Sequence, residues 1–103
     1  MNVVFEITKL PNAAAGARKS LPFAKLSSAG IAIVSQLDSN ATVNEHLVWL
    51  WGMLSHERRY LKSLQSEGAV FSVRVSGARF PIELRSNGAE MLHLLNATLL
   101  ISD

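Results

Sequence analysis

No cysteine occurs anywhere in the 103 residues. Its absence excludes a disulfide framework, a thiol nucleophile and any zinc site built on cysteine, and it suits a reducing compartment. Charge is also sparse. Charged side chains make up 17% of the chain and the formal net charge is only +2, which argues against nucleic-acid binding, so weak binding through the basic loop 9–25 is only a third expectation. No apolar run approaches the roughly 18 residues that span a bilayer. The opening MNVVFEITKLPN carries Glu6 where a signal peptide would be continuously apolar, and it has no basic leader. From these absences we expect a cytoplasmic, bacterial protein without membrane association. The triplets Asn40-Ala41-Thr42 and Asn96-Ala97-Thr98 then read as chance matches to the glycosylation signal.

What is present points to one folded domain over residues 1–103. Hydrophobic residues reach 49%, which separates the chain from disordered sequences, while its length allows a single modest core. Domains of this size often gain stability by self-association. Asn2 to Thr8 alternates Val3, Phe5 and Ile7 with Val4, Glu6 and Thr8, the period of a half-buried strand. Two of the three prolines, Pro11 and Pro22, fall in the next segment, which reads as an irregular excursion with one short helical turn at the alanines. Gly30 to Gln36 is a compact β-branched run and predicts a second strand.

Thr42 followed three residues later by Glu45 is a capping box. It predicts a helix from there to about Ser66, ended by Gly68. Ala69 to Val75 reads as a strand with Phe71, Val73 and Val75 on one face. Ser76 to Arg79 predicts a hairpin turn into a strand at Phe80 to Leu84, with Pro81 where no ladder donor is needed. Ser86 or Asn87 caps a short second helix, and ATLLIS closes the chain as a last strand. From Gly30 onward the order is βαββαβ. We therefore expect an α+β fold, a ferredoxin-like sandwich with a mainly antiparallel sheet, two helices on one face, and the N-terminal strand added at an edge.

Several residues in this order resemble a family of short, mostly bacterial proteins, the domain-of-unknown-function family forty-two seventy-nine. The likeness rests on Ser35-Gln36-Leu37-Asp38, Glu45-His46-Leu47, Leu50-Trp51, Leu54, Leu61-Lys62, Leu64, Gly68, Ile82-Glu83-Leu84 and Leu99 to Ile101, and spans roughly residues 30–101. These are core and cap positions, so the resemblance implies a fold and no chemistry. The chain departs from the family in PNAAAGARKSLP and in its close at Ser102-Asp103.

The long helix carries the most suggestive side chains. At about 100° per residue, Val43, Leu47, Leu50, Leu54, Leu61 and Leu64 form one stripe that should face the sheet, with Trp51 on its flank. Trp49, Met53, His56 and Tyr60 recur at spacings of four, three and four and form a second stripe. A helix that only covers a sheet should be polar there, so these four are the candidate partner-binding residues. The competing expectation is that the second helix or the long loop folds over them. Gly52 lies on the same outer side, where a close backbone approach would explain it. His46 and His56 are ten residues apart and His56-Glu57 lacks the second histidine of HExxH, so no metal site is expected. Glu6, Arg74, Glu83 and Arg85 are expected on the uncovered sheet face.

No phosphate loop, nucleophile elbow or spaced pair of carboxylates appears, so no catalytic residue and no cofactor is assigned. The leading expectation is a non-catalytic protein-binding module, immunity-type or regulatory, acting through the long helix on another protein or on itself as a homodimer. The alternative is a small-molecule or anion-binding protein, or an enzyme, using a cleft near the basic loop 9–25, with Arg18, Lys19 and Lys25 as anion-binding residues.

Overall fold

The computed structural model describes residues 1–9, 17–27, 30–78 and 82–102, with the backbone alone at 17 and 18. Five strands form one mixed sheet: β1 (Asn2–Thr8), β2 (Lys25–Ser27), β3 (Gly30–Val34), β4 (Val70–Ser76) and β5 (Thr98–Ser102). Their order in space is β2-β3-β1-β4-β5. β1 runs antiparallel to both β3 and β4, whereas β4 and β5 are parallel. The helices are α1 (Ala17–Ser20), α2 (Val43–Leu54), α3 (Arg58–Ser66) and α4 (Ser86–Leu94). The path from β3 to β4 through α2 and α3 thus passes over β1. The path from β4 through α4 reaches the adjacent strand β5. Among the described residues, no helix is long and apolar enough to cross a membrane.

Alternation explains how the sheet acquires one buried face. Val3, Phe5 and Ile7 of β1, Ile31 and Ile33 of β3, and Phe71, Val73 and Val75 of β4 are all buried, and they share one core cluster with Leu47, Leu50, Leu54, Leu61, Leu64 and Met91. Phe5 and Phe71 meet edge to face with centroids 5.5 Å apart, the arrangement aromatic quadrupoles favour. The other face carries Glu6 and Arg74, joined by an ion pair of 2.8 Å that is exposed and contributes little to stability. Gly30 opens β3 against β1, and a side chain there would run into the Ile7 carbonyl.

The α+β class and the helical leucine stripe are as expected, but the strand arrangement differs. The ferredoxin-like βαββαβ order is not seen among the described residues, because 82–85 form no strand between β4 and α4. Phe80, Pro81 and the far end of the expected hairpin turn lie outside the described residues, as do the alanines expected to form a helical turn. β1 sits in the middle of the sheet, not at an edge. The physical reason is its sequence: a seven-residue strand with a fully apolar inner face buries most when both of its sides are paired. Glu83 and Arg85 accordingly lie in the connection to α4 and not on the sheet.

The helix expected over 42–66 is two helices. The capping box forms in full, with the Glu45 amide donating to Thr42 Oγ1 at 3.1 Å and the Thr42 amide donating to Glu45 Oε1 at 3.0 Å. A 3₁₀ turn at Ser55–Glu57 then separates α2 from α3. Between the buried anchors Leu54 and Leu61 no side chain is fully buried, so none pins that turn to the sheet. α3 ends as expected at Gly68, with φ +106.

The second helix is capped from outside itself. Neither Ser86 nor Asn87 is its N-cap, because Arg85 occupies that position and has no capping side chain. The Arg85 amide instead donates to Oδ1 of Asn44 in α2 at 2.9 Å. Asn44 Nδ2 donates to Asn87 Oδ1 at 2.9 Å, and that oxygen also accepts the Gly88 amide. Asn44 is buried, and Gly88 lies directly against it.

Candidate functional site

The buried residues of α2, Val43, Asn44, His46, Leu47, Leu50 and Leu54, fix which way the helix faces. Opposite that arc, at about 100° per residue, lie Glu45, Val48 and Gly52, all exposed. Val48 keeps 39% of its surface in solvent, and nothing comes within 4 Å of the position a Gly52 side chain would take. The expected stripe sits to one side of this line. Trp49, Met53 and Tyr60 are half-buried, Trp49 and Tyr60 pack against the core cluster, and His56 alone of the four is exposed. The 3₁₀ turn falls between Met53 and Tyr60, so the four do not form one straight row. Burial pushes the Tyr60 phenol above its ordinary pKa. Trp51, expected on the flank, is half-buried, and the Arg58 guanidinium stands over its ring at 5.8 Å, within cation–π range.

Of the long loop, Leu21, just after α1, is buried within the same core. Lys19 and Lys25 are exposed, and Lys25 lies on the edge strand β2. The side chain of Arg18 lies outside the described residues. Neither lysine lines the cleft at the start of α2. That cleft, of about 800 Å³, opens between the start of α2, the end of β4 and the segment before α4, lined among others by Thr42, Glu45, Ile82, Glu83 and Arg85. The capping hydrogen bonds from Thr42, its backbone amide first, hold the Glu45 carboxyl below its ordinary pKa. A carboxylate therefore already sits at the helix start that would otherwise attract an anion.

One polar pair escapes a reading from spacing alone. Ser35, just past β3, and His46 on α2 meet at 2.7 Å between Oγ and Nδ1. His46 is only 2% exposed, and its Nε2 has no hydrogen-bond partner. Burial first, and then the charge of the Met1 amino group, hold its pKa below the ordinary 6.5, while Glu45 and Asp38 act the other way. A serine bound to a histidine can be a nucleophile and its base; here the ring is buried, and the bond clasps the end of β3 to α2. Among the described residues, no three acidic or histidine side chains come together to hold a metal.

The sheet edges complete the surface. β2 is three residues long and carries Lys25, whereas β5 reads Thr-Leu-Leu-Ile-Ser without a charge. Leu100 and Ile101 are exposed at 37% and 59%. The uncharged run in β5 was visible in the sequence, but its place at an edge was not. No family model, curated protein or solved structure matches the chain.

Proposed function

We propose that this protein is a non-catalytic binding module that acts by contact with another protein chain along the outer side of α2. Val48 and Gly52 form the centre of the contact, Trp49 and Met53 its flank, His56 its continuation in the turn and Tyr60 beyond it. An immunity-type or regulatory role in a bacterial cytoplasm is the concrete form of this reading. The likeness of residues 30–101 to family forty-two seventy-nine is carried with it and adds no activity.

The observation that supports this reading most is Gly52. A glycine within a helix costs about 1 kcal/mol relative to alanine, and here no neighbouring atom demands it. Beside an exposed Val48, the bare backbone offers a place where a second element can approach closely. A photo-crosslinking residue at Val48 tests this in cells. One adduct should form, vanish with Gly52→Leu and persist with Lys62→Ala. An adduct indifferent to Gly52→Leu would remove the surface from consideration.

The cleft favours a second reading, a small ligand bound between Arg85 and the start of α2. Its volume falls within the range of ligand pockets. A thermal-shift screen of carboxylates, phosphates and nucleotides tests it, since a ligand at 100 times its dissociation constant adds about 2.7 kcal/mol. A flat screen would count against it.

A further inference from the structure

The two edges of the sheet are not treated alike. Proteins blunt edge strands by keeping them short and placing lysine on them, and β2 has both features. β5 has neither. It is five residues long and uncharged, and no described strand pairs with its outer side. Its register with β4 sets Leu99 beside Val73 and Ile101 beside Val75, so these two point to the helix side. Thr98, Leu100 and Ser102 point to the open face. Ile101 is more than half exposed although it lies on the helix side, so α4 leaves this end of β5 uncovered.

From this pattern we infer that β5 pairs antiparallel with β5 of a second copy of this chain, about a two-fold axis at Leu100. The strand is complementary to itself in that register. Leu100 meets Leu100 of the other copy. Each Leu99 meets an Ile101, giving four apolar side chains in one cluster on the helix side. Each Thr98 meets a Ser102, hydroxyl against hydroxyl on the open face. No like charges are brought together, and roughly four to six ladder hydrogen bonds form. On α4, Leu92 lies on the flank away from Leu94, and Leu94 faces α3. Leu92 is half-buried and packs against the core cluster. The interface is isologous and closes at two copies, because the remaining edge is the protected β2. A strand this short buries less than the roughly 1,200 Å² of a stable complex, so the dimer forms in the micromolar to millimolar range.

This inference goes beyond the α2 contact and stands on a different surface. Sedimentation equilibrium between about 1 µM and 1 mM should show the mass doubling for the unaltered chain. Leu100→Lys and Leu100→Glu, each placing like charges face to face, should remain monomeric at the same concentrations. Mixed one to one, they should recover the doubled mass, because the two-fold axis sets Lys against Glu. An unaltered chain that stays monomeric overturns the inference, and so does a dimer that survives Leu100→Lys. Failure of the mixture to pair overturns the register. Should the charged variants not fold, hydrogen exchange of the β5 amides in the unaltered chain decides: protection must rise with concentration. Gly52→Leu should leave the mass unchanged, so loss of this dimer and loss of the α2 contact are read separately.

Discussion

Replacing Gly88 and Gly52 in turn by alanine should move stability in opposite directions. Both lie within helices, and propensity alone favours alanine at each by about 1 kcal/mol. At Gly52 the new methyl meets nothing, so most of that gain should appear. At Gly88 the methyl overlaps Asn44 Oδ1, sits 3.0 Å from its Cγ and 3.4 Å from Leu47 Cδ1. Asn44 must turn away, which removes its hydrogen bonds to the Arg85 amide and to Asn87. Each such bond contributes about 1 kcal/mol, and a buried amide left unpaired costs about 1–3 kcal/mol. Set against the propensity gain, Gly88→Ala should destabilise by about 1–3 kcal/mol. In a domain of this size 1 kcal/mol shifts the midpoint by about 4–8 °C. Thermal and urea unfolding at one protein concentration read both variants, since dimer formation would add an apparent stability of its own. The double variant Asn44→Ala/Gly88→Ala should cost less than the sum of the singles, because the clash disappears with the amide. A Gly88→Ala chain as stable as its parent would refute the idea that Asn44 holds α4 in place.

The buried histidine predicts a pH effect. His46 has a folded pKa below 6.5, so between that value and 6.5 the unfolded chain binds more protons. Stability should be complete above about pH 6.5 and fall as pH drops through the folded value, by at most about 1.4 kcal/mol per unit. Urea midpoints from pH 7.5 to 5 should show this decline, and His46→Gln should flatten it; an unchanged slope in the variant would refute the assignment. Thr42→Ala should cost about 1 kcal/mol of stability, read by urea unfolding, and a neutral result would mean that the capping box is not formed in solution. The double substitution Trp49→Ala/Tyr60→Ala should abolish the Val48 crosslink while leaving the β5 dimer intact by sedimentation.

Local features were legible in the sequence. Asn2–Thr8 alternates, Thr42 and Glu45 cap each other across three residues, and Gly68 stops α3; each signal acts over a few neighbouring residues. The leucine stripe was legible for the same reason. The central place of β1 was not, because pairing Val3 with Val75 is decided by the competition of whole strands for partners and not by their own pattern. Nor was the cap on α4, whose acceptor Asn44 comes from another helix. The spacing of Trp49, Met53 and Tyr60 does not reveal that all three are half-buried, because that depends on what packs beside the helix. The turn at Ser55–Glu57 coincides with the lack of a fully buried side chain between Leu54 and Leu61, a signal weaker than the continuous helical period around it.

The middle position of β1 also bears on synthesis. That strand leaves the ribosome long before Val70–Ser76 exists to flank it. Until then Val3, Phe5 and Ile7 have at most one neighbour, β3, and no finished helical roof. The nascent chain therefore carries a sticky, half-paired ribbon through most of its elongation, a state prone to wrong partners. Slowing translation after Val34 should lengthen that exposure and raise the chain's dependence on chaperones.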